Sequence, residues 1–159
     1  MLAHIKQRLD FRRRGVKVWT PSNVYLTAII GDGVSIGMFS EIGHLVKIGN
    51  DTRIGKGCFI PEGVIIGKNC FIGPHVCIAN DRYMAIPPYS ARNWQNWEPV
   101  IIEDMVRLGA NSLIRPGVII GTGAVIGLGA VVTKNVGPFE VWVGNPAYKL
   151  KEGSNGQSS

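Results

Sequence analysis

Residues 36–78 read IGMFSEIGHLVKIGNDTRIGKGCFIPEGVIIGKNCFIGPHVCI, with isoleucine at every sixth position: Ile36, Ile42, Ile48, Ile54, Ile60, Ile66, Ile72 and Ile78. The period extends backwards through Ile30, Val24 and Val18. It returns in phase, 24 residues after Ile78, as Ile102, Leu108, Ile114, Ile120, Ile126 and Val132. A fixed short period marks a chain that stacks one small unit. The break between Ile78 and Ile102 therefore reads as an insertion into one continuous solenoid.

The offsets within each repeat specify its shape. Glycine follows the aliphatic residue at Gly31, Gly37, Gly43, Gly49, Gly55, Gly67, Gly73, Gly109, Gly121 and Gly127. The third residue after it is drawn mostly from Gly, Asp and Asn, as at Gly33, Asp51, Gly57, Asn69, Asn111 and Gly129. These types tolerate a positive φ, so a tight corner is expected every six residues. The fourth position is small or β-branched, as at Val46, Thr52, Val64, Val76 and Ala130, which suits an inward strand position. An amphipathic helix is excluded: a period of six drifts against 3.6 residues per turn, and each interior glycine would cost about 1 kcal/mol.

Composition sets the outer limits. The 159 residues are enough for one domain with a real core. Hydrophobic residues at 45% against 18% charged exclude intrinsic disorder, and the 21 glycines must hold fixed positions. No apolar stretch approaches the roughly 18 residues of a membrane span and no signal-peptide region opens the chain, so a cytoplasmic protein is expected. Cys58, Cys70 and Cys77 lie inside apolar segments without metal-binding spacing and read as reduced core residues. Lys and Arg outnumber Asp and Glu by 17 to 11, a net charge of +6, which calls for an anionic partner; nucleotide phosphates satisfy it as well as nucleic acid does.

The repeats resemble those of the hexapeptide-repeat acyltransferases, from Val18 to Leu150. The resemblance implies an all-β fold, a left-handed parallel β-helix with three hexapeptides per coil. It also implies trimers with active sites between adjacent prisms. The 17 repeats would make nearly six coils. Residues 1–17 (MLAHIKQRLDFRRRGVK) read as a helical cap with Leu2, Ile5 and Leu9 on one face, the β-helix as 18–137 with a projecting loop at about 81–99, residues 138–150 as a coenzyme-binding strap, and 151–159 as a disordered tail.

The stretches starting at Leu108 (LGANSLIRPG), Ile126 (IGLGAVVTKN) and Gly144 (GNPAYKL) resemble the family's acetyl-CoA-binding end. Carried over residue by residue, this implies that Ala110, Leu128, Thr133, Lys134 and Lys149 lie along acetyl-CoA. Small corner residues leave backbone groups open to an amide-rich arm, and cations meet phosphates. The family usually has Arg or Lys where this chain has Tyr148.

For the acceptor, Asn80-Asp81-Arg82-Tyr83 resembles the segment of nucleotide-sugar N-acetyltransferases, whereas the sugar O-acetyltransferase branch carries a histidine there. This chain has no histidine between 76 and 159. An amine near its pKa is already nucleophilic, so Asp81 and Asn80 can orient it and accept its proton, while a hydroxyl needs a stronger base. His75 is a further catalytic candidate and His44 a weaker one. Arg82, Tyr83, Trp94 and Trp97 are the expected substrate-binding residues. The expected partners are a small-molecule nucleotide sugar and copies of the chain itself in a homotrimer, with no nucleic acid, membrane or metal. O-acetylation of a sugar or other small hydroxyl acceptor stays open. A zinc carbonic-anhydrase-like reading would have to use His4, His44 and His75, and a non-catalytic β-helix would leave the Thr133-Lys134 and Gly144-Asn-Pro-Ala matches without a role.

Overall fold

The computed structural model of the protein describes residues 2–82 and 97–152. Among the described residues, seventeen two-residue strands, each ending on a residue of the six-residue period, alternate between three parallel sheets. The first face holds β1 (Lys17–Val18), β4 (Ser35–Ile36), β7 (Arg53–Ile54), β10 (Phe71–Ile72), β13 (Arg107–Leu108) and β16 (Val125–Ile126). On the second lie β2 (Asn23–Val24), β5 (Glu41–Ile42), β8 (Phe59–Ile60), β11 (Cys77–Ile78), β14 (Leu113–Ile114) and β17 (Val131–Val132). The third comprises β3 (Ile29–Ile30), β6 (Lys47–Ile48), β9 (Ile65–Ile66), β12 (Ile101–Ile102) and β15 (Ile119–Ile120). The fold is the expected left-handed parallel β-helix of about six turns.

Each coil pairs with the next 18 residues on, Ser35 beside Arg53 for example. Phe71 instead pairs with Arg107, which shows that the insertion interrupts the chain but not the ladder. In the strand pairs from β2 onwards the second residue points inward, and isoleucines such as Ile36, Ile60, Ile78 and Ile114 are fully buried along the axis. The inward hydroxyls of Ser40 and Thr52 complete their corners. Thr52 Oγ1 donates to the Gly67 carbonyl at 2.8 Å and accepts from the Cys70 amide at 3.0 Å, so both backbone groups are satisfied inside the core.

The two glycine offsets turn out to do different work. The third-offset residues, such as Gly33 (φ +69°) and Asp51 (φ 57°), do have positive φ. The glycines that directly follow the aliphatic residue answer to close approach: a Cβ on Gly31 would stand 2.6 Å from the amide nitrogen of Asn50 in the next coil. Residues without a favourable αL preference, including Phe39, Leu45 and Met105, also occupy corner positions with positive φ.

The N-terminal helix α1 spans Leu2–Arg13. Its anchor differs from the expected apolar face. Leu9 is 53% exposed, whereas Phe11 and Val16 are buried against the first coil. The reason is the turn that ends α1: the Val16 amide donates back to the Phe11 carbonyl at 2.8 Å, with Gly15 at φ +69°, and this turn packs Phe11 onto the coil. Arg14 then ties α1 to the solenoid through ion pairs with Asp10 (3.2 Å) and Asp32 (2.7 Å) and a hydrogen bond to the Ile30 carbonyl.

At the far end, β18 (Glu140–Val143) joins the first face beside β16 and forms an antiparallel hairpin with β19 (Tyr148–Glu152). The strap thus runs two residues past Leu150. Cys58 and Cys70 point inward, their thiols donating to the carbonyls of Gly73 (3.2 Å) and Glu103 (3.0 Å). Cys77 is the exception to the expected core cysteines: as the first residue of its strand pair it faces outward on the second face and is partly exposed. Burial raises the pKa of all three thiols, most directly by penalising the thiolate.

Candidate functional site

Two edges of the prism carry the residues singled out from the sequence. At the corner between the first and second faces, the amide of His75 donates to the Lys56 carbonyl, that of Asn111 to Pro74, and that of Gly129 to Ala110. His75, Ala110 and Leu128 therefore share one edge in successive coils. His75 has φ 58°, and its ring occupies the space above Gly57, where a Cβ would collide with Nδ1. Leu128 is 80% exposed at this edge. A solvent-facing leucine at a corner offers an apolar contact to whatever lies along it.

The corner between the second and third faces carries His44, Glu62 and Asn80 one coil apart: Gly63 N–H donates to the His44 carbonyl, and Asn80 Nδ2 donates to Glu62 at 3.4 Å. The insertion leaves the prism here. Glu98 N–H donates to the Asn80 carbonyl at 3.0 Å, and Asp81 forms an antiparallel bridge with Trp97, so the two ends of the loop are paired where they meet the prism. The Gly117 amide then donates to Glu98, and the ladder resumes. Arg82, expected on the substrate, forms an ion pair with Glu98 at 2.6 Å, both side chains about one third exposed. Glu98 was not singled out in the sequence. Its signal there is only that it stands two residues before Val100, where the inward pattern restarts.

The β14–β17 register places Arg115 and Pro116 beside Thr133 and Lys134, so those two residues continue the loop-root edge toward the strap. Thr133 is partly buried and Lys134 exposed. Lys149, in contrast, is on the first face, where it ion-pairs with Glu140 at 2.8 Å. Glu140 also accepts from Trp142 Nε1 (2.8 Å) and the Gly137 amide (2.7 Å). Lys149 first, then Trp142, hold the Glu140 carboxyl below its ordinary value of 4.5.

The two sets are thus on different edges of one chain, separated by the second face with its outward Phe59, Cys77, Leu113 and Val131. His44, although on the loop-root edge, is already engaged: Nδ1 lies 2.9 Å from Thr27 Oγ1 and its ring packs on Tyr25 at 4.1 Å. Trp97 is 38% exposed at the loop root. Tyr83 and Trp94 lie outside the described residues. Among the described residues no cluster of three His, Cys, Asp or Glu side chains could hold a metal ion, and no helix is long and apolar enough to cross a membrane.

Comparison with known proteins extends this picture. The family model "Bacterial transferase hexapeptide (six repeats)" matches residues 27–60 and 45–80, and "Hexapeptide repeat of succinyl-transferase" matches 99–134. Together these segments cover more than half of the 159 residues. A 2,3,4,5-tetrahydropyridine-2,6-dicarboxylate N-acetyltransferase of Ligilactobacillus salivarius is 54% identical over 55 residues, 35% of this chain and 24% of the relative. The match thus spans about a quarter of that relative's length. Similar solved structures include PerB of Caulobacter crescentus in complex with CoA and GDP-perosamine (TM-score 0.73, 21% identity, 94% of this chain and 66% of that one). A point mutant of AntD, an N-acyltransferase of Bacillus cereus, in complex with dTDP and coenzyme A, gives a TM-score of 0.63 at 22% identity, covering 94% and 89%. The acetyltransferase domain of PglB from Neisseria gonorrhoeae gives 0.72 at 16% identity, covering 93% and 66%. At these identities the solved structures establish a shared fold.

Proposed function

Because the chain belongs to the hexapeptide-repeat transferases, we propose that it moves an acetyl group from acetyl-CoA to the amino group of a nucleotide-linked aminosugar, and that it does so as a homotrimer. The observation that carries this reading is the loop root: a carboxylate and a carboxamide, Asp81 and Asn80, stand together where the insertion leaves the prism, on the edge that leads to Thr133 and Lys134. The one histidine on that edge, His44, is engaged by Thr27 and Tyr25. The solved relatives support it, since PerB is bound to CoA and GDP-perosamine and AntD to CoA and dTDP.

In this mechanism Asn80 and Asp81 hold the acceptor amine. The nitrogen lone pair forms the N–C bond to the thioester carbonyl, the C–S bond breaks with its electron pair going to sulfur, and the N–H proton passes to the Asp81 carboxylate. A corner N–H such as that of Ala110 stabilises the developing oxyanion. Direct transfer of this kind needs no strong base, because an amine is a good nucleophile once deprotonated. Coenzyme A fits along Ala110, Leu128, Thr133 and Lys134 when the first-to-second corner of one protomer lies beside the loop-root edge of its neighbour. Exposed apolar residues stacked in register, Phe59 and Leu113 on the second face and Ile65 and Ile119 on the third, provide surface for such an assembly. In that arrangement Arg82 positions the loop through Glu98, and Lys149 shapes the strap through Glu140.

The test is thiol release from acetyl-CoA with matched acceptors, a nucleoside-diphosphate aminosugar against its hydroxyl analogue. Release with the amine alone supports the proposal. Equal or greater release with the hydroxyl compound transfers the assignment to O-acetylation.

A further inference from the structure

We propose that the cavity between α1 and the first coil is a second ligand site, one that takes a nucleoside diphosphate independently of acetyl transfer. The cavity holds about 630 Å³, within the range of small-molecule sites. Its helix side presents Arg8 and Arg12 beside the buried Phe11, and its coil side presents Lys17, Trp19 and Asn23. Among the described residues no carboxylate lines it. Asp10 and Asp32, the acids near the end of α1, are ion-paired with Arg14 instead.

Three cations around one concavity call for more than one negative charge. The indole of Trp19, 50% exposed, supplies a flat face on which a base can stack. Lys17 also heads the first face, where the charged outward residues of the two-residue strands, Lys17, Arg53 and Arg107, are all cationic, so the approach to the cavity is favourable for an anion. A membrane surface is the weaker fit. Leu9 and Trp19, both exposed, line a concavity rather than one continuous helix face, and Phe11 is already buried in the core. The site lies at the opposite end of the prism from the strap, with the loop root between them.

Calorimetric titration of the full chain with UDP, in saturating CoA, tests the assignment. The proposal expects saturable UDP binding that survives Asp81→Asn. Trp19→Ala and Lys17→Gln should each weaken it roughly tenfold while leaving kcat/KM for acetyl transfer within about twofold. Lys17→Gln changes an outward strand position, so it reads the site even if a change in α1 disturbs the cap. Uridine and pyrophosphate alone should each bind far more weakly than UDP. The proposal is overturned if UDP binding is indifferent to both variants, if Asp81→Asn abolishes it, or if pyrophosphate binds as well as UDP. It also fails if Trp19 responds to phosphatidylglycerol vesicles and not to UDP. Because the deciding arms read UDP binding and kcat/KM serves only as a control, these results stand apart from success or failure of the acetyl-transfer assay.

Discussion

Gly49 shows how much of this fold is decided by single hydrogen atoms. A Cβ at this position would lie 2.5 Å from the amide nitrogen of Lys68 in the next coil, and backbone cannot move aside as a side chain can. Gly49→Ala is therefore expected to cost about 3 kcal/mol, the upper end of the usual overpacking range. Gly129 has nothing within 4 Å of its virtual Cβ, and its φ is +64°. Gly129→Ala meets only backbone strain and should cost about 1–2 kcal/mol. Urea denaturation of the two variants measures the difference, and Gly129→Ala matching or exceeding Gly49→Ala in cost would contradict the close-approach explanation. Both glycines are equally visible in the sequence, but their separate reasons are not. The offset marks a corner, while the contact that makes it obligatory lies 19 residues away.

Individual elements add contacts that periodicity does not encode. The Arg82–Glu98 ion pair joins the two ends of the insertion, and its geometry depends on the Asp81–Trp97 bridge that sets them side by side. Glu98→Gln is expected to raise KM for the acceptor several-fold with KM for acetyl-CoA unchanged, and exchanging the two charges, Arg82→Glu with Glu98→Arg, should restore much of the loss. A parallel rise in both KM values would indicate a general structural role instead. The strap responds to pH in a definite direction. Glu140 is depressed below 4.5, chiefly by Lys149, so its contribution to the β18–β19 hairpin is fully present above the ordinary glutamate value and is lost as pH falls through the depressed one. Protection of the β18 and β19 amides against exchange, relative to their intrinsic rates, should fall below about pH 4.5. Glu140→Gln should show faster exchange already at neutral pH; an exchange profile identical to the wild type would remove the ion pair from the account.

For the molecule as a whole, the strands were legible because each repeat states its inward residue outright, and Ile30, Ile60 and Ile114 could be placed on the axis from spacing alone. The edges follow once the family resemblance supplies three repeats per coil: the resulting 18-residue register assigns Ala110 and Leu128 to one corner and Asn80 to another. What the spacing did not reveal lies where the period stops. Phe11 anchors the cap through a turn that the helical pattern of Leu2, Ile5 and Leu9 does not announce, and Glu98 and Glu140 find their partners through loop and hairpin geometry. Chemistry at the loop root is the central claim, and replacing the groups there decides it. Acetyl transfer to a nucleotide-linked aminosugar should fall by roughly 10²–10⁴-fold in the Asn80→Ala, Asp81→Asn double variant with acetyl-CoA binding intact, while His75→Ala retains most activity. Full activity in the double variant together with its loss in His75→Ala would contradict the account and move the chemistry to the other edge of the prism.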